Sequence, residues 1–134
     1  MTLEEAFYAH AVAGTSIASL IGTRLYPSMI PQDASLPAAA YQRVASTRMT
    51  AHDGATGHAT ATIQVTCQAT TYSAANQVAN AFIARFDGVK GNWGSGSPVE
   101  VFRCTVETDV DSFESPTNDA STRRVDLLVH YREA

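Results

Sequence analysis

The stretch HATATIQVTCQAT, His58 to Thr70, restricts what this chain can become more than any other. Ala59, Ala61, Ile63, Val65, Cys67 and Ala69 alternate with Thr60, Thr62, Gln64, Thr66 and Gln68. A period of two resolves into one apolar and one polar face only in an extended strand. Such a strand needs neighbours for its backbone and a second layer for its apolar face, and the remaining sequence offers both.

Three further segments read as strands. AAAYQRVAS runs from about Ala38 to Ser46, with Ala40, Gln42 and Val44 on one face and Tyr41 and Arg43 on the other. A strand from about Val99 to Val110 turns Phe102, Cys104, Val106 and Val110 inward, and TRRVDLLVHYRE sets Val125, Leu127, Val129 and Tyr131 against Arg124, Asp126, Leu128 and His130. Helical spacing appears twice. Thr2 and Glu5 form a capping-box pattern ahead of a helix over Leu3 to Ala13, followed by a short turn, SIASLIG, that stops at Gly22. Ser73 is placed to cap AANQVANAFIARF, in which Ala75, Val78, Ala79, Phe82 and Phe86 line one side and Asp87-Gly88 ends the helix. The order helix, strand, strand, helix, strand, strand predicts an α+β fold: a mainly antiparallel sheet of about four strands with two main helices on one face. The other face, rich in Thr, Gln and Arg, is left for water or a partner.

The connections carry as much information as the elements. RLYPSMIPQDASLPAAAYQRVAS, Arg24 to Ser46, holds three of the five prolines, and proline biases both itself and its predecessor to extended backbone. This is a positioned connector leading into the first long strand. Between the first two strands, about twelve residues are expected as a loop where an economical hairpin uses two to five. Arg48 and Met49 near its start suit a protein interface. DGVKGNWGSGSP is expected as a glycine-rich loop in which Trp93 either folds back over the core or is exposed for a partner. Asp111 and Phe113 open an acidic loop, VDSFESPTNDAS.

Composition limits the function. A length of 134 residues fits one domain that buries roughly two-thirds of its unfolded surface. No apolar run approaches the ~18 residues of a membrane span, so no membrane association is expected. The start MTLEEAFYAH lacks the positive charge and apolar run of an export signal. With a net charge of −4 and only Arg123 and Arg124 adjacent, tight or sequence-specific nucleic-acid binding is not expected. Cys67 and Cys104 fall on apolar strand faces outside any C-x-x-C motif and read as buried thiols of a reduced compartment.

Catalytic patterns are sparse. GNWGSGS follows a helix and precedes a strand, the reverse of a phosphate-binding loop. His52, Asp53 and His58 have metal-ligand chemistry without fixed ligand spacing, and solvated loop residues are the preferred reading, so no metal and no cofactor are expected. His10 and His130 have no carboxylate or nucleophile partner evident in sequence. The inward positions Ala, Val, Ile, Phe and Cys offer little to a small-molecule pocket. The residues left for contacts are Arg48, Met49, His52, Asp53, Trp93, Asp111, Phe113 and Arg124.

Together, LIGTRLYPSMIPQDASLPAAAYQRVAS, QVTCQATTYSAANQVANAF and the closing VHYRE resemble the tail-completion, or tail-terminator, proteins of long-tailed bacteriophages and prophages, over essentially the whole chain. The resemblance implies a structural protein without catalytic residues: a homo-hexameric ring at the head-proximal end of the tail tube. It would halt tube growth and join tail to head, with the major tail tube protein and a head-side connector or stopper protein as partners. It also implies a virion location after assembly in the bacterial host cytoplasm, with DNA passing through the lumen. A head-completion or connector component would share size, acidity and the lack of catalytic residues, whereas a small α+β enzyme or ligand-binding dimer would need convergent polar groups in an apolar cavity.

Overall fold

The computed structural model describes residues 3–22, 24–28, 30, 35, 37–51, 54–94, 99–112 and 121–132, with side chains at 49–51, 54–56, 111, 112 and 121 outside that description. Its elements are α1 (Leu3–Ala13), α2 (Thr15–Ile21), β1 (Leu25–Pro27), β2 (Ala38–Ala51), β3 (Gly54–Ala69), α3 (Tyr72–Phe86), β4 (Gly91–Trp93), β5 (Val99–Ser112) and β6 (Ser121–Arg132). The fold is α+β. Six strands form one mixed sheet in the order β1-β2-β3-β6-β5-β4.

The alternation in β3 does what its period dictates. Ala59, Ala61, Ile63, Val65, Cys67 and Ala69 are buried, while Thr60, Thr62, Gln64, Thr66 and Gln68 are half-buried on the open face. β3 lies centrally, antiparallel to β2 and β6, with Val65 opposite Tyr41 on one side and Val125 on the other. Buried Val125, Leu127, Val129 and Tyr131 continue the apolar face on β6. The second layer comes from α1, α2 and α3, whose Phe7, Ala11, Ile17, Ile21, Val78, Phe82 and Phe86 join the same core. Its centre is aromatic: Phe7 stacks on Phe86 at 4.7 Å, Trp93 meets the edge of Phe86 at 5.3 Å, and His10 stacks on Trp93 at 5.0 Å.

Helix starts and stops follow local chemistry with one change. Thr71, rather than Ser73, caps α3: its hydroxyl accepts from the Ala74 N–H at 3.1 Å. Placing the cap two residues earlier adds Tyr72 and Ser73 to the helix. Gly22 follows α2 with φ of +60°, a backbone setting that side chains with a Cβ disfavour.

The sheet is larger than the expected four strands, for two reasons. The proline-rich connector contributes β1, which runs parallel to residues 39–41 of β2. Arg24 anchors this edge by donating from Nε to the Pro37 carbonyl at 3.0 Å, while its own carbonyl accepts from the Ala39 N–H at 3.0 Å. Three-residue strands carry too little periodicity to stand out in sequence, and β4 inside the glycine-rich segment, paired antiparallel to residues 99–101, escaped for the same reason.

The expected twelve-residue loop is also replaced. β2 and β3 remain paired out to Ala51 and Gly54, with only residues 52 and 53 between the paired ends. The sequence STRMTA lacks an apolar alternation, and residues 44–48 are all exposed, so the pairing of this stretch left no hydrophobic period to read. On β5, register shifts at Val101/Arg103 and Val106/Thr108 break the period of two. Val101 is therefore buried in place of the expected Phe102, and Val110, expected inward, is 40% exposed.

Candidate interaction surface

The open face of the sheet is polar and internally tied. Gln42 donates to the side-chain carbonyl of Gln64 at 3.0 Å across β2 and β3, and Thr60 Oγ1 lies 3.1 Å from His130 Nδ1 across β3 and β6. Each pair sits directly opposite in the register. These contacts tie neighbouring strands across the face. At its rim, His58 stacks on Phe102 at 4.8 Å, the Arg132 guanidinium lies 5.6 Å from the centre of the same ring, and Glu100 reaches Arg132 at 3.4 Å. Sequence spacing gave no hint of this cluster, because it depends on the β5 bulge that turns Phe102 out of the core.

The helix-bearing face has its own polar edge. Arg123 binds Asp109 through two nitrogens at 2.7 and 2.6 Å and Asn76 of α3 at 2.7 Å, joining β6, β5 and α3 with a planar fork suited to a carboxylate. Arg43 reaches Glu4 of α1 at 2.7 Å. Arg85 donates to the His10 carbonyl at 3.0 Å, linking α3 to α1.

The two cysteines are not activated as nucleophiles. Burial pushes the Cys67 and Cys104 thiols up to about 12, and both cysteines are free. A thiol held that high carries almost no thiolate at neutral pH. Burial lowers the pKa of His10, and the Arg85 cation lowers it further. Among the described residues no group of three or more His, Cys, Asp or Glu is placed to hold a metal ion, and no helix is long and apolar enough to cross a membrane.

The sequence-derived contact residues separate into three groups. Arg48 is exposed on the projecting half of β2, and Arg124 is half-buried on β6 with Nε 3.8 Å from Asp126 Oδ1. Met49 and Asp111 lie in β2 and β5, where Asp111 pairs in register with Arg123, and their side chains fall outside the described residues together with all of His52, Asp53 and Phe113. Trp93 is corrected: at 1% exposure it covers the end of the core against His10 and Phe86 and presents nothing to a partner. Its neighbours in sequence are glycine and asparagine, so its apolar partners come from α1 and α3, which sequence proximity could not reveal.

The described surface includes a polar open sheet face, the long β2–β3 hairpin and two sheet edges. The family model of the tail completion protein gp17 matches residues 5–92. A chain in the solved structure "Virion of native gene transfer agent (GTA) particle" shares the fold, with a TM-score of 0.67 at 18% identity over 97% of this chain and 92% of that one. No curated protein matches the sequence.

Proposed function

We propose, on the premise that this chain belongs to the tail completion protein gp17 family, that it forms a ring, six subunits in number, at the head-proximal end of a phage tail tube. A structural part in the tail of a phage-like virion follows from the family itself. The ring, the arrest of tube growth and the joining to a head-side connector are the finer reading, and the family match over residues 5–92 carries it. The likeness in fold to a chain of the gene transfer agent virion supports it.

The physical form is consistent with this role. A ring of identical subunits uses a heterologous contact, in which one patch of the subunit meets a different patch of the next. An open sheet with a projecting hairpin supplies two such patches, and closure removes edges that would otherwise invite uncontrolled pairing. Passage of DNA through the lumen favours a wall that does not hold phosphate, as expected for a chain of net charge −4. Light scattering over a concentration series, with negative-stain imaging of the heaviest species, tests the ring: a mass near six subunits is expected, and a stable dimer at all concentrations would overturn it.

A further inference from the structure

The two edges of the sheet are complementary, and this inference rests on the ring reading by specifying its contact. β1 covers β2 only at residues 39–41, so residues 42–51 have β3 on one side and no strand on the other among the described residues. At the opposite edge β4 covers β5 only at residues 99–101. The turn after α3 caps the next stretch: the Gly88 N–H donates to the Cys104 carbonyl at 2.7 Å, and the Val106 N–H to Asp87 Oδ1 at 3.1 Å. Residues 107–112 then have β6 as their only described strand neighbour.

Each edge carries what the other lacks. Residues 42–51 include Arg43 and Arg48 and no acid, whereas residues 107–112 include Glu107, Asp109 and Asp111 and no base; within the subunit Arg43 also meets Glu4 and Asp109 meets Arg123, so the complementarity is one of net edge charge. Each also shows an exposed valine, Val44 at 49% and Val110 at 40%, in a strand whose other apolar residues are largely buried. Opposite charge across paired strands stabilises a register, and like charge opposes the wrong one. Direction agrees as well. Successive antiparallel pairing from β2 through β3 and β6 leaves β5 antiparallel to β2, so a rotation that extends the sheet sets β5 of one copy antiparallel to β2 of the next.

We propose that the subunits of the ring join by strand addition, residues 42–47 of one copy pairing with residues 107–112 of its neighbour, Val44 against Val110. That register also puts Arg43 level with Asp111. Register shifts at Arg43/Ala45 and Arg48/Thr50 interrupt this edge; bulges of this kind oppose indiscriminate pairing, so the contact has to form around them.

Paired strands bring opposed Cα atoms to about 4.5–5.5 Å, within disulfide reach. The test combines Val44→Cys with Val110→Cys, Thr108→Cys or Ser112→Cys in the full chain, oxidised with glutathione disulfide after assembly is measured by light scattering. The native thiols stay silent because they are buried. Expected is a ladder of linked subunits from one of the three double variants, linked dimers only from a mixture of the two corresponding single variants, and weaker assembly as salt is raised. Assembled rings without a cross-link in any of the three would overturn the edge pairing and leave the ring standing. A chain that stays monomeric, alone and with tail-tube protein, would overturn both.

Discussion

His10 shows how a single side chain ties stability to pH in this core. Its ring lies between Phe86 at 5.2 Å and Trp93 at 5.0 Å, with Arg85 donating to its carbonyl. Burial, and after it the Arg85 cation, lowers its pKa below the ordinary 6.5. An unfolded chain therefore takes up the proton first as pH falls. Stability contributed by the neutral ring is fully present above about 6.5 and is lost as pH drops through that value toward the lower folded one. Thermal melts between pH 8 and 5 should show a decline that His10→Gln flattens; parallel curves for the two proteins would contradict it. The same core predicts that Phe86→Ala, which removes a fully buried ring, costs about 3–5 kcal/mol in denaturant unfolding. A thiol-specific colorimetric reagent at pH 8 should find no reactive cysteine in the native protein and both in denaturant, since burial holds Cys67 and Cys104 near 12.

At the scale of elements, caps and forks decide where segments begin and what they lock to. Thr71→Ala removes the acceptor for the Ala74 N–H and should cost about 1 kcal/mol; Ser73→Ala, inside the helix and exposed, should leave stability within about 0.5 kcal/mol. Equal effects at the two positions would place the cap elsewhere. Arg123→Met breaks the fork to Asp109 and the bond to Asn76 and should lower stability by about 1–3 kcal/mol, with Arg123→Lys recovering only part of it. Legibility varied with how far each element depends on its own sequence. β3, β6 and α1 were readable because periodicity and burial coincide, whereas β1 and β4 exist through pairing with β2 and β5. Phe102 and Val110 were misplaced because a bulge is a tertiary event that leaves no mark on a strand's composition. Trp93 was settled only by helices distant in sequence, and Arg124, read as a contact residue, is half-buried beside Asp126.

The whole molecule is a six-stranded sheet with helices packed on one side, Arg43 and Arg48 toward one margin and Glu107, Asp109 and Asp111 toward the other. The proposed ring contact uses these two margins. A structural role in a phage tail follows from the family. Whether this chain ends a tail tube is tested by adding purified chain to polymerising tail-tube protein and following tube length by electron microscopy. Tubes that stop growing, each with a ring of this protein at one end, are the expected result. Tubes that grow to the same length with no bound protein at either end would contradict the account.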